Sequence, residues 1–140
     1  AKQIRQFGIQ ATLLGADSWG SMEQRDHIPE LAGAYYSDQF VPDKDNDRTR
    51  GFITRFQETY DYPPPAGAAA TYDSLGILFQ AIENEGSTAP DAIRRGIANL
   101  GQYDGVTGTM VYQGSGDPTV SVAILKIESG TISLHQEITP

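Results

Sequence analysis

Residues 10–20 read Gln-Ala-Thr-Leu-Leu-Gly-Ala-Asp-Ser-Trp-Gly. Gln10 to Leu14 make a short apolar segment, the chain turns at Gly15, and a small polar loop follows. Immediately upstream, Lys2, Ile4, Arg5, Gln6 and Phe7 look like the last turns of a helix, and Gly8 stands where a C-terminal cap belongs. Helix, turn, buried strand and a loop at the strand's C-terminal end is the rhythm of a parallel α/β sheet. Open sheets of that kind gather ligands outside the carboxyl ends of their strands. Asp17 therefore stands where a ligand contact belongs, although an Asp at this point serves equally to cap a following helix. A chain that opens at the end of a helix is expected to be a piece of something larger.

Further along, residues 20–32 are mixed and polar, with a short helix expected to end near Leu31. Gly33 to Phe40 (GAYYSDQF) read as a second strand, on which Tyr35 and Tyr36 alternate, one toward the core and one outward. Val41 to Asn46 form a polar connector. Arg48 to Tyr60 place Phe52, Ile53, Phe56 and Tyr60 on one helix face, with Asp47 as N-cap and Pro63, Pro64 and Pro65 as the stop. A second helix from near Gly67 to about Asn84 is apolar nearly all round, which predicts packing on several sides. Gly86 ends it. Thr88 with Asp91 suggests a capping box and Pro90 a first turn, ahead of Ile93, Ile97 and Leu100 on one face. Strand chemistry then takes over: Gly108 to Tyr112, a dense turn signal at Gln113 to Pro118, a strand over Thr119 to Ile127 expected to be covered on both faces, and an alternating strand at Thr131 to Gln136.

The chain has 140 residues and 15.2 kDa, room for one domain. A hydrophobic content of 39% with 20% charged residues is globular rather than disordered. No apolar run reaches the ~18–20 residues of a spanning helix. A net charge of −8 repels phosphate backbones, which argues against a nucleic-acid partner. No cysteine is present, so there is no disulfide frame, thiol nucleophile or zinc-finger site, and no short-range metal pattern includes both His27 and His135.

Several stretches, taken in order, resemble one family. These are Gly-Ala-Asp-Ser-Trp at 15–19, Leu-Ala-Gly-Ala-Tyr-Tyr at 31–36, Phe-Val-Pro at 40–42, the run from Pro64 to Leu75 with Gln-Ala-Ile-Glu at 80–83, the run from Tyr103 to Tyr112, Gly-Asp-Pro at 116–118 and Ile-Glu-Ser-Gly at 127–130. The set is similar to the C-terminal part of a type I periplasmic binding protein of the branched-chain amino-acid receptor group. The resemblance implies an α/β fold of two Rossmann-like lobes that close on a ligand, with this chain a C-terminal partial segment. It implies that residues 1–40 belong to lobe 2, 41–122 to lobe 1, and 123–140 to a crossing strand and terminal hairpin returning to lobe 2. It further implies an extracytoplasmic solute-binding receptor of an ABC importer, in the periplasm or as an extracellular lipoprotein, the signal lying outside this chain. An amino acid or related small polar solute would be the ligand. A membrane permease and the missing N-terminal segment of the same protein would be the partners. No cofactor is implied. Two other readings remain: a cytoplasmic amide or amino-acid sensor of the same fold, and an α/β enzyme domain fragment.

Within that resemblance Asp17 would pair with the ligand's ammonium group; the family often has Glu here, so the shorter Asp shifts the amine by about one methylene. Ser18 and Trp19 flank it, and Trp19 either walls the cleft or belongs to a lobe core. Gly67 lies near where many members place an aromatic over the ligand. The segment Ala66-Gly67-Ala68 lacks that lid, which either enlarges the pocket or leaves its cover to another aromatic. Tyr72 and Asp73 read as a helix-packing and hinge-facing pair. Enzyme signatures are missing: no G-x-S-x-G, H-E-x-x-H or P-loop occurs. Gly114 to Asp117 read as a hairpin turn, and Asp43, Asp45 and Asp47 as a solvated linker without the glycine and terminal Glu of a calcium loop.

Overall fold

The computed structural model describes residues 1–21, 27–42 and 46–139. The chain divides into two compact units, Ala1–Gln39 with Val122–Ile138, and Phe40–Ser121.

The first unit is a four-stranded sheet. Helix α1 (Lys2–Gln6) ends on Gly8, whose φ of 75° suits a residue without a Cβ. Arg5 Nη1 then donates to the carbonyls of Ile9 (2.8 Å) and Ala11 (2.9 Å), curling the linker toward the first strand. Strand β1 (Leu14–Gly15) runs parallel to β2 (Tyr35–Asp38), and β6 (Val122–Glu128) and β7 (Thr131–Ile138) complete the order β1-β2-β6-β7. A short 3-10 turn, Pro29–Leu31, leads into β2. The core consists of Leu31, Ala34 and Tyr36 against Ala123, Leu125 and Ile127, all buried. The tyrosines divide as expected: Tyr36 is 1% exposed, while Tyr35 is half-buried with its ring edge-on to His135 at 4.9 Å.

Two strand readings are corrected here. The apolar segment at Gln10–Leu14 is not a buried strand: only Leu14–Gly15 is extended into the sheet, and Leu14 is 77% exposed. Among the described residues β1 pairs only with β2 and so stands at the edge of the sheet. The run Thr119–Ile127 is not one strand either. It breaks at Ser121, whose amide donates to the Thr109 carbonyl (3.3 Å), and its halves join different sheets. Along β6 only alternate residues are fully buried, so one face, rather than both, is closed.

The second unit packs α2 (Asp47–Tyr60), α3 (Ala66–Glu85) and α4 (Pro90–Ala98) with an antiparallel sheet of β3 (Gln102–Asp104), β4 (Thr109–Val111) and β5 (Thr119–Val120). Asn46, not Asp47, caps α2: its side chain accepts from the amides of Arg48 (2.8 Å) and Thr49 (3.4 Å). Both residue types cap well, and the extended backbone at Asn46 decides between them. The capping box at Thr88 does not form; Ala89 is the N-cap residue and Ser87 Oγ accepts from its amide. Asp43 and Asp45 lie outside the described residues. Strand β3, short and polar, had no sequence signal.

A core of Phe40, Phe52, Ala69 and Val106 sits under α2 and α3. Helix α3 buries Ala69, Asp73, Ile77 and Ala81 along one stripe, while Tyr72, Leu75 and Phe79 on other sides are 47%, 47% and 59% exposed. The all-round apolar pattern is therefore matched by burial on one side only among the described residues. Helix α4 approaches α3 through Ala92 and Gly96, and a Cβ on Gly96 would lie 2.8 Å from the Ala81 carbonyl oxygen. Gly96→Ala must push the helices apart, an overpacking cost of about 1–3 kcal/mol. Chemical denaturation should show that loss.

The turn Gly105–Gly108, fully buried, is held from both helices. Asp73 Oδ1 accepts from the Val106 amide (2.8 Å), and Oδ2 accepts from the Thr107 amide (2.9 Å) and Thr107 Oγ1 (2.7 Å). Thr49 Oγ1 of α2 donates to the Val106 carbonyl (2.9 Å). A Cβ on Gly105 would overlap the Asp73 carboxylate. The Tyr103 hydroxyl similarly occupies the space where Gly76 lacks a Cβ. Burial, and then the nearby Asp73 carboxylate, raise the Tyr103 phenol above its ordinary value. A raised folded value means that this contribution to stability is complete below about pH 10 and is lost as pH climbs through the folded value. The thermal midpoint should thus fall less between about pH 8 and about pH 11 in Tyr103→Phe than in the parent protein.

Candidate functional site

Directly beyond β1 the backbone tightens into a 3-10 turn, Asp17–Ser21, entered by a bond from the Trp19 amide to the Ala16 carbonyl (2.9 Å). The turn displays Asp17 and Ser18 to solvent and half-buries Trp19. Asp17 Oδ1 accepts from the Ser18 amide (2.7 Å), a bond to the next residue rather than a cap on a later amide. Its Oδ2 takes no hydrogen bond among the described residues.

The Trp19 ring lies where a Cβ on Gly15 would be, so the glycine of the Gly-Ala-Asp sequence makes room for it. The ring is 6.5 Å from that of buried Tyr36 on β2. On the other side of the turn, Gly20 meets the carboxylate of Asp38, the last residue of β2, at a distance that leaves no room for a Cβ. Asp38 is 6% exposed, and its Oδ1 accepts from the Gln39 amide (2.8 Å). Sequence reasoning had not singled out Asp38; its one signal was an acid at the end of a strand.

Gly67 belongs to the second unit, as the second residue of α3. It is exposed, among the described residues nothing lies within 4 Å of a Cβ built there, and its carbonyl accepts from Thr71 Oγ1 (2.8 Å). Asp73 is engaged entirely with the Gly105–Gly108 turn, and the Tyr72 ring packs on Phe52 at 5.0 Å. A cavity of about 510 Å³ in the first unit lies at the opposite end of β1 from Asp17, with Arg5, Gln10, Thr12, Glu30 and Gly33 on its walls. Among the described residues no three His, Cys, Asp or Glu side chains gather as metal ligands, and no helix is long and apolar enough to cross a membrane.

What the turn supplies chemically is a solvent-facing carboxylate and an indole edge at the carboxyl end of a parallel strand. That is the position where an open α/β sheet receives small molecules.

The family described as periplasmic binding protein matches residues 1–131. Among solved structures, an ABC transporter substrate-binding protein from Desulfitobacterium hafniense in complex with Leu is 28% identical, with a TM-score of 0.81 over 95% of this chain and 38% of its own. A leucine-binding protein from Thermotoga maritima is 24% identical, with a TM-score of 0.81 over 99% of this chain and 40% of its own. A solute-binding protein from R. palustris in complex with benzoate is 16% identical, with a TM-score of 0.75 over 99% and 39%. No curated protein matches the chain. The chain spans about 40% of the length of these structures, so it corresponds to a partial segment of their fold. With the ordered motifs, the α/β architecture and the family match agreeing over nearly the whole sequence, the chain belongs to the periplasmic binding protein family and has the type I fold.

Proposed function

We propose that this chain is part of a solute-binding receptor that serves an ABC importer and takes an amino acid or a related small polar solute between two lobes. The observation that carries the reading is Asp17, exposed on its turn at the carboxyl end of β1, whose Oδ2 takes no hydrogen bond among the described residues. A carboxylate so placed forms a charge-assisted bond to a ligand ammonium group, which orients the ligand and selects for an amine. Ser18 and Trp19 flank the head group, and Gly67 is assigned to the site by the resemblance alone, as the other lobe's residue without an aromatic lid. In this reading residues 1–40 and 123–140 belong to one lobe and 41–122 to the other. Lobe closure on the ligand, with no covalent chemistry, is what the permease recognises. The receptor works outside the cytoplasm, in the periplasm or as an extracellular lipoprotein. Its partners are the solute, the permease and the remainder of the same protein. The matched structures with Leu and with benzoate set the alternatives.

Calorimetric titration of the complete product of the gene tests this reading. Leucine, isoleucine, alanine, ethanolamine and benzoate form the panel. Ligands with an ammonium group are expected to bind, and benzoate, repelled by Asp17, is not. Binding of benzoate with no response to any amine would overturn the assignment.

A further inference from the structure

We propose that Asp38 is a positioning residue for the ligand-facing turn, acting through the backbone of Gly20. The proposal rests on the reading of Asp17 as the amine contact, and goes beyond it to what holds Asp17 in place. Strands β1 and β2 are parallel and in register, Leu14 opposite Tyr35 and Gly15 opposite Tyr36. Two residues further along each strand stand Asp17 and Asp38, so both acids leave the same edge of the sheet. Their situations are opposite: Asp17 is exposed, and Asp38 is 6% exposed with Oδ1 tied to the Gln39 amide at 2.8 Å.

The fixed Asp38 carboxylate abuts Gly20, three residues beyond Asp17 and in the same 3-10 turn. At the other flank the Trp19 ring rests on Gly15. The turn is thereby gripped at two points, by its indole on β1 and by its backbone on the end of β2. Among the described residues Asp17 itself makes one side-chain bond, to its neighbour Ser18. A carboxylate on a two-residue strand extension holds a ligand well only when such a supporting shell fixes it to within about 0.5 Å. Asp38 also adds a second carboxylate, this one buried, beside the exposed Asp17, which favours a cationic head group over an anionic one.

The test uses the complete gene product labelled with 5-fluorotryptophan, the Trp19 resonance being assigned with Trp19→Phe. Asp38→Ala and Gly20→Ala should each move the Trp19 ¹⁹F resonance and weaken leucine binding by roughly tenfold, the usual effect of a loosened first contact. Asp38→Asn, which keeps the shape and an oxygen for the Gln39 amide, should restore the resonance and most of the affinity. A merely structural role would not give that split between Ala and Asn at unchanged thermal midpoint. If Asp38→Ala and Gly20→Ala fold and leave both the resonance and leucine affinity unchanged, the proposal fails. Should Asp38→Ala fail to fold, Gly20→Ala alone decides by the same two readouts. If Asp17→Asn leaves leucine affinity unchanged while the Asp38 variants still move the resonance, the amine reading fails and the positioning role stands.

Discussion

Replacement of Asp73 by alanine is expected to destabilise the Phe40–Ser121 unit by about 3–5 kcal/mol, the range for breaking a buried charged hydrogen-bond set. The magnitude follows from what is left behind. Asp73 is 1% exposed and accepts from three donors, the Val106 and Thr107 amides and Thr107 Oγ1. Alanine removes every acceptor and leaves those donors buried without partners, in a turn where Gly105–Gly108 are all closed to water. Against a total stability of about 5–15 kcal/mol, that loss is large enough to unfold a marginal unit. Asp73→Asn keeps one oxygen and should cost about half as much, since one side of the set survives. The specific readout is amide hydrogen exchange at Val106 and Thr107, whose protection should fall much further than that of β6. Unchanged protection at those two amides in Asp73→Ala would show that the turn is held otherwise.

Asp17→Asn should weaken binding of an amine-bearing solute roughly thirtyfold to a few thousandfold. Truncating one partner of a hydrogen-bonded charge pair costs about 2–5 kcal/mol, and about 1.4 kcal/mol is tenfold. The substitution is nearly isosteric, and the asparagine oxygen still accepts from the Ser18 amide, so the turn keeps its shape while the charge goes. Asp17→Glu should be milder, because the charge remains and only its reach grows by a methylene. Calorimetry with leucine, with the thermal midpoint as the folding control, separates lost affinity from lost structure. Equal affinity in the parent protein and in Asp17→Asn would remove Asp17 from the site.

Most helix positions were legible because burial there follows a local period. Phe52 and its neighbours on α2 announce one apolar face, and Pro63–Pro65 and Gly86 stop α2 and α3 through constraints internal to the residue. The helix caps were less legible. Asn46 and Asp47 are adjacent and equally suited, and only the backbone conformation at Asn46 selects it. Strand pairing was least legible. Val120 and Val122 look alike in a hydrophobic run, yet Thr119–Val120 pair with β4 and Val122 onward with β2 and β7. The turns before β5 and β7 bring their partners from nearby, but the pairing of β6 with β2 sets Ala123 opposite Asp38, more than 80 positions away, which no local pattern encodes. At the candidate site the Gly-Ala-Asp-Ser-Trp stretch was readable because a loop at a strand's end is a local event. Asp38 was not, since its burial and its approach to Gly20 exist only once β2 lies beside β1.

By itself the sequence determined the αβ rhythm, the three long helices with their stops, the net negative charge, and the placing of Asp17 after a strand. These are properties of short windows and of composition, where backbone preference and side-chain period act without long-range help. Only the tertiary structure decided that Asp73 closes the Gly105–Gly108 turn, that Gly15 and Gly20 are small because Trp19 and Asp38 fill their space, and that one apolar run serves two sheets. Each of those depends on two segments meeting in space. A buried hydrogen bond or a missing Cβ has its meaning only from the group that comes to meet it.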